Sequence, residues 1–345
     1  MMMVALVALV ACWGAAASTP APATAPPFAF GLDQSVPCPI AAQDYSVAGV
    51  PIDANASAAL QQALGRVPAM LDTKIQELAC PSANVVVTHG GQIIFRSYRG
   101  SARMHSQAAL HDDTGFKIAS LTKTFTTAML FQLRDAGKLS QSLDTPVTEL
   151  IPGFTIKSPY KSKRGITLRS LAMHASGMPR NVPLLGVSGE AAMLKAIAEM
   201  TVISPQYTQT HYSNLGIALL GRALEKVAGI SWEQYVATKI LEPLGMNGSG
   251  NPPFSAAARA RMADGAKSPG VIEPLPNATD WGSPCGSMYS TPGDMVRWMN
   301  FLMDVRTVTT NSAVTAPVIY SSATLCSAQL LYCAHALPDV LYASM

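Results

Sequence analysis

The chain has 345 residues, of which 49% are apolar and only 13% charged, so it can bury a sizeable core and is too apolar for disorder. A net charge of +3 is too small to suggest a nucleic-acid or membrane-surface partner. No internal repeat, zinc-ligand spacing or heptad pattern is present, which leaves a globular protein of one large domain or two smaller ones.

Val4 to Ala17 is an apolar run ending in small residues, too short to span a bilayer and suited to a signal peptide over 1–17. It predicts a secreted protein. Leu9-Val10-Ala11-Cys12 also resembles a bacterial lipoprotein cleavage box, which makes anchoring at Cys12 the alternative. Asn55, Asn247 and Asn277 each open an Asn-x-Ser/Thr tripeptide, a glycosylation acceptor in an oxidising route. Removing the leader leaves Cys38, Cys80, Cys285, Cys326 and Cys333, an odd set. Cys38 with Cys80, or Cys326 with Cys333, both fit as bridges, and sequence does not decide between them.

Residues 18–28, rich in Pro and Ala, read as an extended linker, and residues 29–305 as the folded domain. An amphipathic helix is predicted over Ser57–Leu78, with Leu60, Leu64, Val67, Met70, Leu71, Ile75 and Leu78 as its stripe. Two β-branched runs, 84–88 and 92–96, flank His89-Gly90-Gly91 and predict a hairpin. From Ser120 the pattern turns helical, with Leu121, Phe125, Ala128, Met129 and Leu133 on one face and Gly137 as the stop. Residues 138–276 read as helices and loops forming a mostly helical subdomain, with strong helices at Asn214–Val227 and Trp232–Leu241. Lys157, Lys161, Lys163 and Arg164 sit among Ser, Pro and Gly and read as a solvated loop. A last helix, Pro292–Met303, is capped by Thr291. After Arg306 the only formal charge is Asp339, and 306–345 reads as a divergent tail.

A neutral serine hydroxyl is a poor nucleophile and needs an adjacent base. Ser120-Leu121-Thr122-Lys123 puts hydroxyl and amine one helical turn apart on one face. An amine acts as base when desolvation eases loss of its proton, and the positive end of the helix favours negative charge developing at the hydroxyl. Ser158-Pro159-Tyr160-Lys161 has the same spacing but lies in a Pro-containing loop with no apolar periodicity behind it. Tyr212-Ser213-Asn214 precedes a strong helix: a phenol near a cationic lysine can relay a proton, and Asn214 offers an amide to a substrate carbonyl or to the lysine. The plainer alternative is that Asn214 caps the helix and Tyr212 packs. His89, His174 and His211 read as a turn residue, a packing residue and a residue shaping the approach to Tyr212. Cys285 lacks a matching base and reads as structural.

The segment Phe116 to Phe125 resembles the nucleophile segment of class C β-lactamases, family VIII esterases and related penicillin-binding proteins. Asp144-Thr145-Pro146-Val147, Leu171 to Met178, Tyr212-Ser213-Asn214, Glu242 to Met246 and Tyr289 to Met295 follow in that family's order. The resemblance implies an α+β fold of β-lactamase/transpeptidase type, an antiparallel sheet flanked by helices joined to a helical subdomain, with the site between them. It implies that Ser120 is acylated, that Lys123 and Tyr212 manage protons and that Asn214 contacts the acyl group. The backbone N–H of Ser120 would be one oxyanion donor. Neither metal nor organic cofactor is implied, the partner is a small-molecule or peptide substrate, and the oligomeric state stays open.

That family has a late Lys- or His-Thr-Gly triplet supplying the second oxyanion donor. After Met303 the nearest match is His335-Ala336-Leu337, without the glycine. The C-terminal strands are therefore expected to be missing or altered. Two readings follow: a serine hydrolase acting on an amide, β-lactam, ester or peptide, or a catalytically impaired relative serving as a binding or scaffold protein.

Overall fold

The computed structural model of the chain describes residues 5–10, 54–89, 91–160, 165–181 and 189–302. The linker at 18–28 and the tail at 306–345 lie outside them, as does most of the leader.

An antiparallel sheet opens the architecture. Strand β1 (Ala5–Val10), within the apolar run read as a leader, pairs with β2 (Ser82–His89), and helix α1 (Ala54–Glu77) lies between them in sequence. The expected hairpin is formed by β2 and β3 (Gln92–Gly100), with a register shift at Val87/Thr88. Gly91 takes φ +76° at the turn, a conformation that favours glycine. One face of the hairpin packs Val85, Val87 and Phe95 against Leu60, Leu64, Val67 and Leu71 of α1. Met70 and Leu78, predicted in that stripe, are 62% and 50% exposed. Met70 falls off the i, i+4, i+7 face, and Leu78 lies beyond the last helical residue.

The two-residue strand β4 (Phe116–Lys117) leads through a 3₁₀ turn, Ala119–Leu121, into α2 (Thr122–Asp135). Phe125, Met129, Leu130 and Phe131 of α2 are fully inaccessible, so this helix is buried on nearly every side rather than on one stripe. Short helices α3 (Val147–Leu150), α4 (Leu168–Ala172) and α5 (Glu190–Ala198) follow. The long α6 (Asn214–Ala228) starts on a Ser213 cap and stops at Gly229, which is left-handed at φ +74°. The predicted helix at Trp232–Leu241 is α7 (Trp232–Val236) continued by one π turn, Ala237–Leu241. After α8 (Ala256–Arg261) comes a hairpin that the reading of 138–276 as helix and loop missed, β5 (Gly265–Ser268) and β6 (Val271–Glu273). Its strands are too short to show alternation, and the Pro269-Gly270 dipeptide, with Gly270 at φ +73°, was the turn signal it carried.

Three elements close the described chain: α9 (Ser283–Gly286), β7 (Tyr289–Ser290) and α10 (Pro292–Leu302). Thr291 Oγ1 accepts the Asp294 N–H, the cap expected there. Trp298 of α10 stacks on Phe125 with ring centroids 4.0 Å apart. β4 pairs antiparallel with β7, Phe116 opposite Ser290, and this pairing fixes the start of α2 against the segment around α9. Helices and antiparallel strands together make the fold α+β. Among the described residues no helix is long and apolar enough to cross a membrane.

Candidate active site

Ser120 sits in the 3₁₀ turn that begins α2, at the end where backbone N–H groups lack helical partners. The residue before it, Ala119, is left-handed at φ +45°, an uncommon conformation for a residue with a Cβ. Neighbouring backbone holds this turn in place. Ile118 donates its N–H to Met288 O at 3.0 Å, and Met288 returns its own to Thr122 Oγ1 at 3.2 Å.

Lys123 is buried one turn further on, its side chain running back toward the helix start as helical side chains do. Its Nζ donates to Ser120 Oγ at 3.0 Å and to the backbone oxygen of Cys285 at 2.7 Å. Thr126 Oγ1 donates to Pro284 O at 2.7 Å, so α2 grips α9 through two neighbouring carbonyls. Tyr212 completes the cluster from the far side, with its Oη 2.6 Å from Ser120 Oγ. The hydroxyl of Ser120 therefore lies within hydrogen-bond reach of both an amine and a phenol.

The loop after α4 wraps the segment carrying Tyr212. His211 N–H meets His174 O at 2.8 Å, Ser213 N–H meets His174 Nδ1 at 3.1 Å, and Leu215 N–H meets Arg180 O at 3.1 Å. Ser213 Oγ donates to Pro179 O at 2.6 Å while accepting the Gly216 N–H, so the cap of α6 is also tied to this loop. The Tyr212 ring stacks on His174 at 4.7 Å. Lys123 Nζ and the Arg180 guanidinium carbon each lie 4.8 Å from its centroid, within cation–π range.

Two expectations about Asn214 change. The cap is Ser213, because its shorter side chain stands at the residue just before the helix. The Asn214 amide donates to Asn181 Oδ1 at 2.9 Å, and the lysine is held by the Cys285 carbonyl instead. Cys285 itself is a free thiol, and burial pushes its pKa up while Lys123 pulls it down less strongly. Cys80 is disulfide-bonded. Ser158, the other Ser-x-x-Lys serine, lies on an exposed loop where its Oγ accepts the Tyr160 N–H at 3.2 Å. Lys157 of the basic cluster pairs with Glu199 at 2.6 Å, while residues 161–164 lie outside the described set.

The Cys285 carbonyl, His174 and Arg180 are the members that sequence reasoning did not place here. A backbone carbonyl leaves no mark in a sequence, whereas the Leu-x-x-His-x-Ser-Gly motif around His174 was a signal available for use. A cavity of about 440 Å³ lies elsewhere, lined by residues including Glu233, Glu242, Met246 and Asn251, and none of its lining belongs to the Ser120 cluster. Among the described residues no group of His, Cys, Asp and Glu could hold a metal ion.

Comparison with known proteins agrees with the ordered motifs. A family model described as Beta-lactamase matches residues 67–318. "Beta-lactamase-like protein 2" of Dictyostelium discoideum is 35% identical over 259 residues, 71% of this chain and 46% of that protein. The "D-alanyl-D-alanine-carboxypeptidase/endopeptidase AmpH" of Escherichia coli is 33% identical over 224 residues, 62% of this chain and 55% of that one. The chain thus spans about half the length of these curated relatives. A solved beta-lactamase/D-alanine carboxypeptidase from Yersinia pestis, complexed with citrate, aligns at 27% identity and TM-score 0.52 over 61% of this chain and 60% of its own. A class C beta-lactamase aligns at 21% identity and TM-score 0.63 over 76% of this chain and 67% of its own, a likeness of fold.

Proposed function

The chain belongs to the beta-lactamase family, and on that premise we propose that it is a serine hydrolase working through an acyl-enzyme on Ser120. The observation that carries this reading is the shared hydroxyl, with Ser120 Oγ 3.0 Å from Lys123 Nζ and 2.6 Å from Tyr212 Oη. In the proposed reaction Ser120 Oγ attacks the substrate carbonyl and gives up its proton to the Lys123–Tyr212 pair. The carbonyl oxygen takes the negative charge, facing the Ser120 N–H at the start of α2. Tyr212 then passes a proton to the departing amine or alcohol, and water releases the acyl group by the same route in reverse. In this reading Asn214, whose amide donates one N–H to Asn181, contacts the bound acyl group through the other. The substrate class is an amide, β-lactam, ester or peptide.

The test is labelling with a fluorescent penicillin or a fluorophosphonate, with the adduct mapped by mass spectrometry. Labelling of wild type that disappears in Ser120→Ala supports the reading, and labelling undiminished by that change removes Ser120 from the mechanism.

A further inference from the structure

The geometry points to His174 as the residue that positions Tyr212 for proton transfer, an inference that rests on the reading of Ser120 and Tyr212 proposed above. Both backbone N–H groups flanking Tyr212 end on this one residue. His211 donates to its carbonyl at 2.8 Å, and Ser213 donates to its Nδ1 at 3.1 Å. Its ring then stacks on the Tyr212 ring at 4.7 Å and 29°. A single residue thus fixes the backbone on either side of the phenol and one face of the phenol itself.

His174 holds this position in a left-handed conformation, φ +55°, uncommon for residues with a Cβ and taken more readily by histidine than by most. Its carbonyl and its ring both face the segment where residues 211 and 213 need acceptors. Accepting through Nδ1 also fixes the tautomer: the neutral ring carries its proton on Nε2. The groups around the Tyr212 ring make a neutral imidazole the fitting partner, since Lys123 and Arg180 already face it at 4.8 Å each. His211, one residue before Tyr212, has a buried Nε2 that meets no partner among the described residues.

The two functions of the side chain can be separated. Phe at 174 keeps an aromatic ring but removes the acceptor, leaving the Ser213 N–H without its bond. Asn keeps an oxygen near the Nδ1 position and tolerates the left-handed backbone, but removes the stack. Acylation by fluorescent penicillin, with turnover of a p-nitrophenyl ester, is measured on the full chain. His174→Phe is expected to lower the maximal acylation rate about tenfold or more, with the half-saturating concentration within about threefold, as loss of a buried hydrogen bond would do. His174→Asn is expected to recover most of that loss. In a Tyr212→Phe background, His174→Phe is expected to change nothing further, because its effect passes through the phenol.

A wild-type acylation rate in His174→Phe overturns the inference, and so does a loss that persists at full size in Tyr212→Phe. An unchanged rate in Tyr212→Phe alone rejects the proposed function as well. Nitrogen-15 NMR of histidine-labelled protein decides independently of activity. The expected signal is an Nε2-protonated ring with Nδ1 accepting, and an Nδ1-protonated neutral ring overturns the assignment.

Discussion

Lys123 is gripped by a backbone oxygen, and a backbone oxygen survives a change of side chain. Cys285→Ala should therefore leave fluorophosphonate labelling of Ser120 within about threefold of wild type, since the carbonyl remains at its place and little volume is lost. Labelling lost in that variant would show that the thiol itself takes part. Burial holds the Cys285 thiol above its ordinary pKa of 9.0, so less thiolate forms at neutral pH than on an exposed cysteine. Alkylation by iodoacetamide should be slow at neutral pH in the folded protein and fast once it is unfolded, as mass spectrometry can follow. Because the folded value is the higher one, the stability gained by keeping this thiol protonated is present below 9.0 and lost as pH rises through the folded value. At this scale the meeting of Ser120, Lys123 and Tyr212 was legible from spacing and context. The oxygen of residue 285 was not, because all residues have one.

Between elements, α6 packs tightly against α9 beside the site. A Cβ built on Gly221 would lie 2.3 Å from Pro284 Cβ, and neither backbone has room to yield without moving. Gly221→Ala should cost about 1–3 kcal/mol by overpacking, lowering Tm by several degrees in calorimetry. It should also slow Ser120 labelling more than a surface change of equal stability cost, because Pro284 adjoins the carbonyl that holds Lys123. A variant of wild-type stability and reactivity would contradict the packing described. Helices α2, α6 and α10 were visible in advance from apolar spacing with Gly or Thr punctuation. The β5–β6 hairpin and the π turn after α7 were not, since strands of three or four residues and one widened turn carry too few positions to set a period.

Across the whole molecule, the sheet joins residues from opposite ends of the described chain, β1 along β2 and α10 beside them. A chain beginning after residue 17 lacks β1, and the β2 edge from Ala83 to Thr88 then loses that partner. Such a chain should self-associate more readily than one starting at residue 1, which light scattering at matched concentration can measure. Equal behaviour of the two would show that another strand serves that edge. The overall class could be read from the order of motifs, but the meeting of distant segments could not, because apolar patterning says which face is buried and not what lies against it. Ser120, His174, Tyr212 and Cys285 come from four stretches spread over more than 160 residues of chain. A nascent or partly unravelled polypeptide cannot bring them together, so the proposed adduct at Ser120 would double as a gauge of maturation. In that reading, loss of labelling during mild denaturation should be the earliest sign that long-range order has begun to fail.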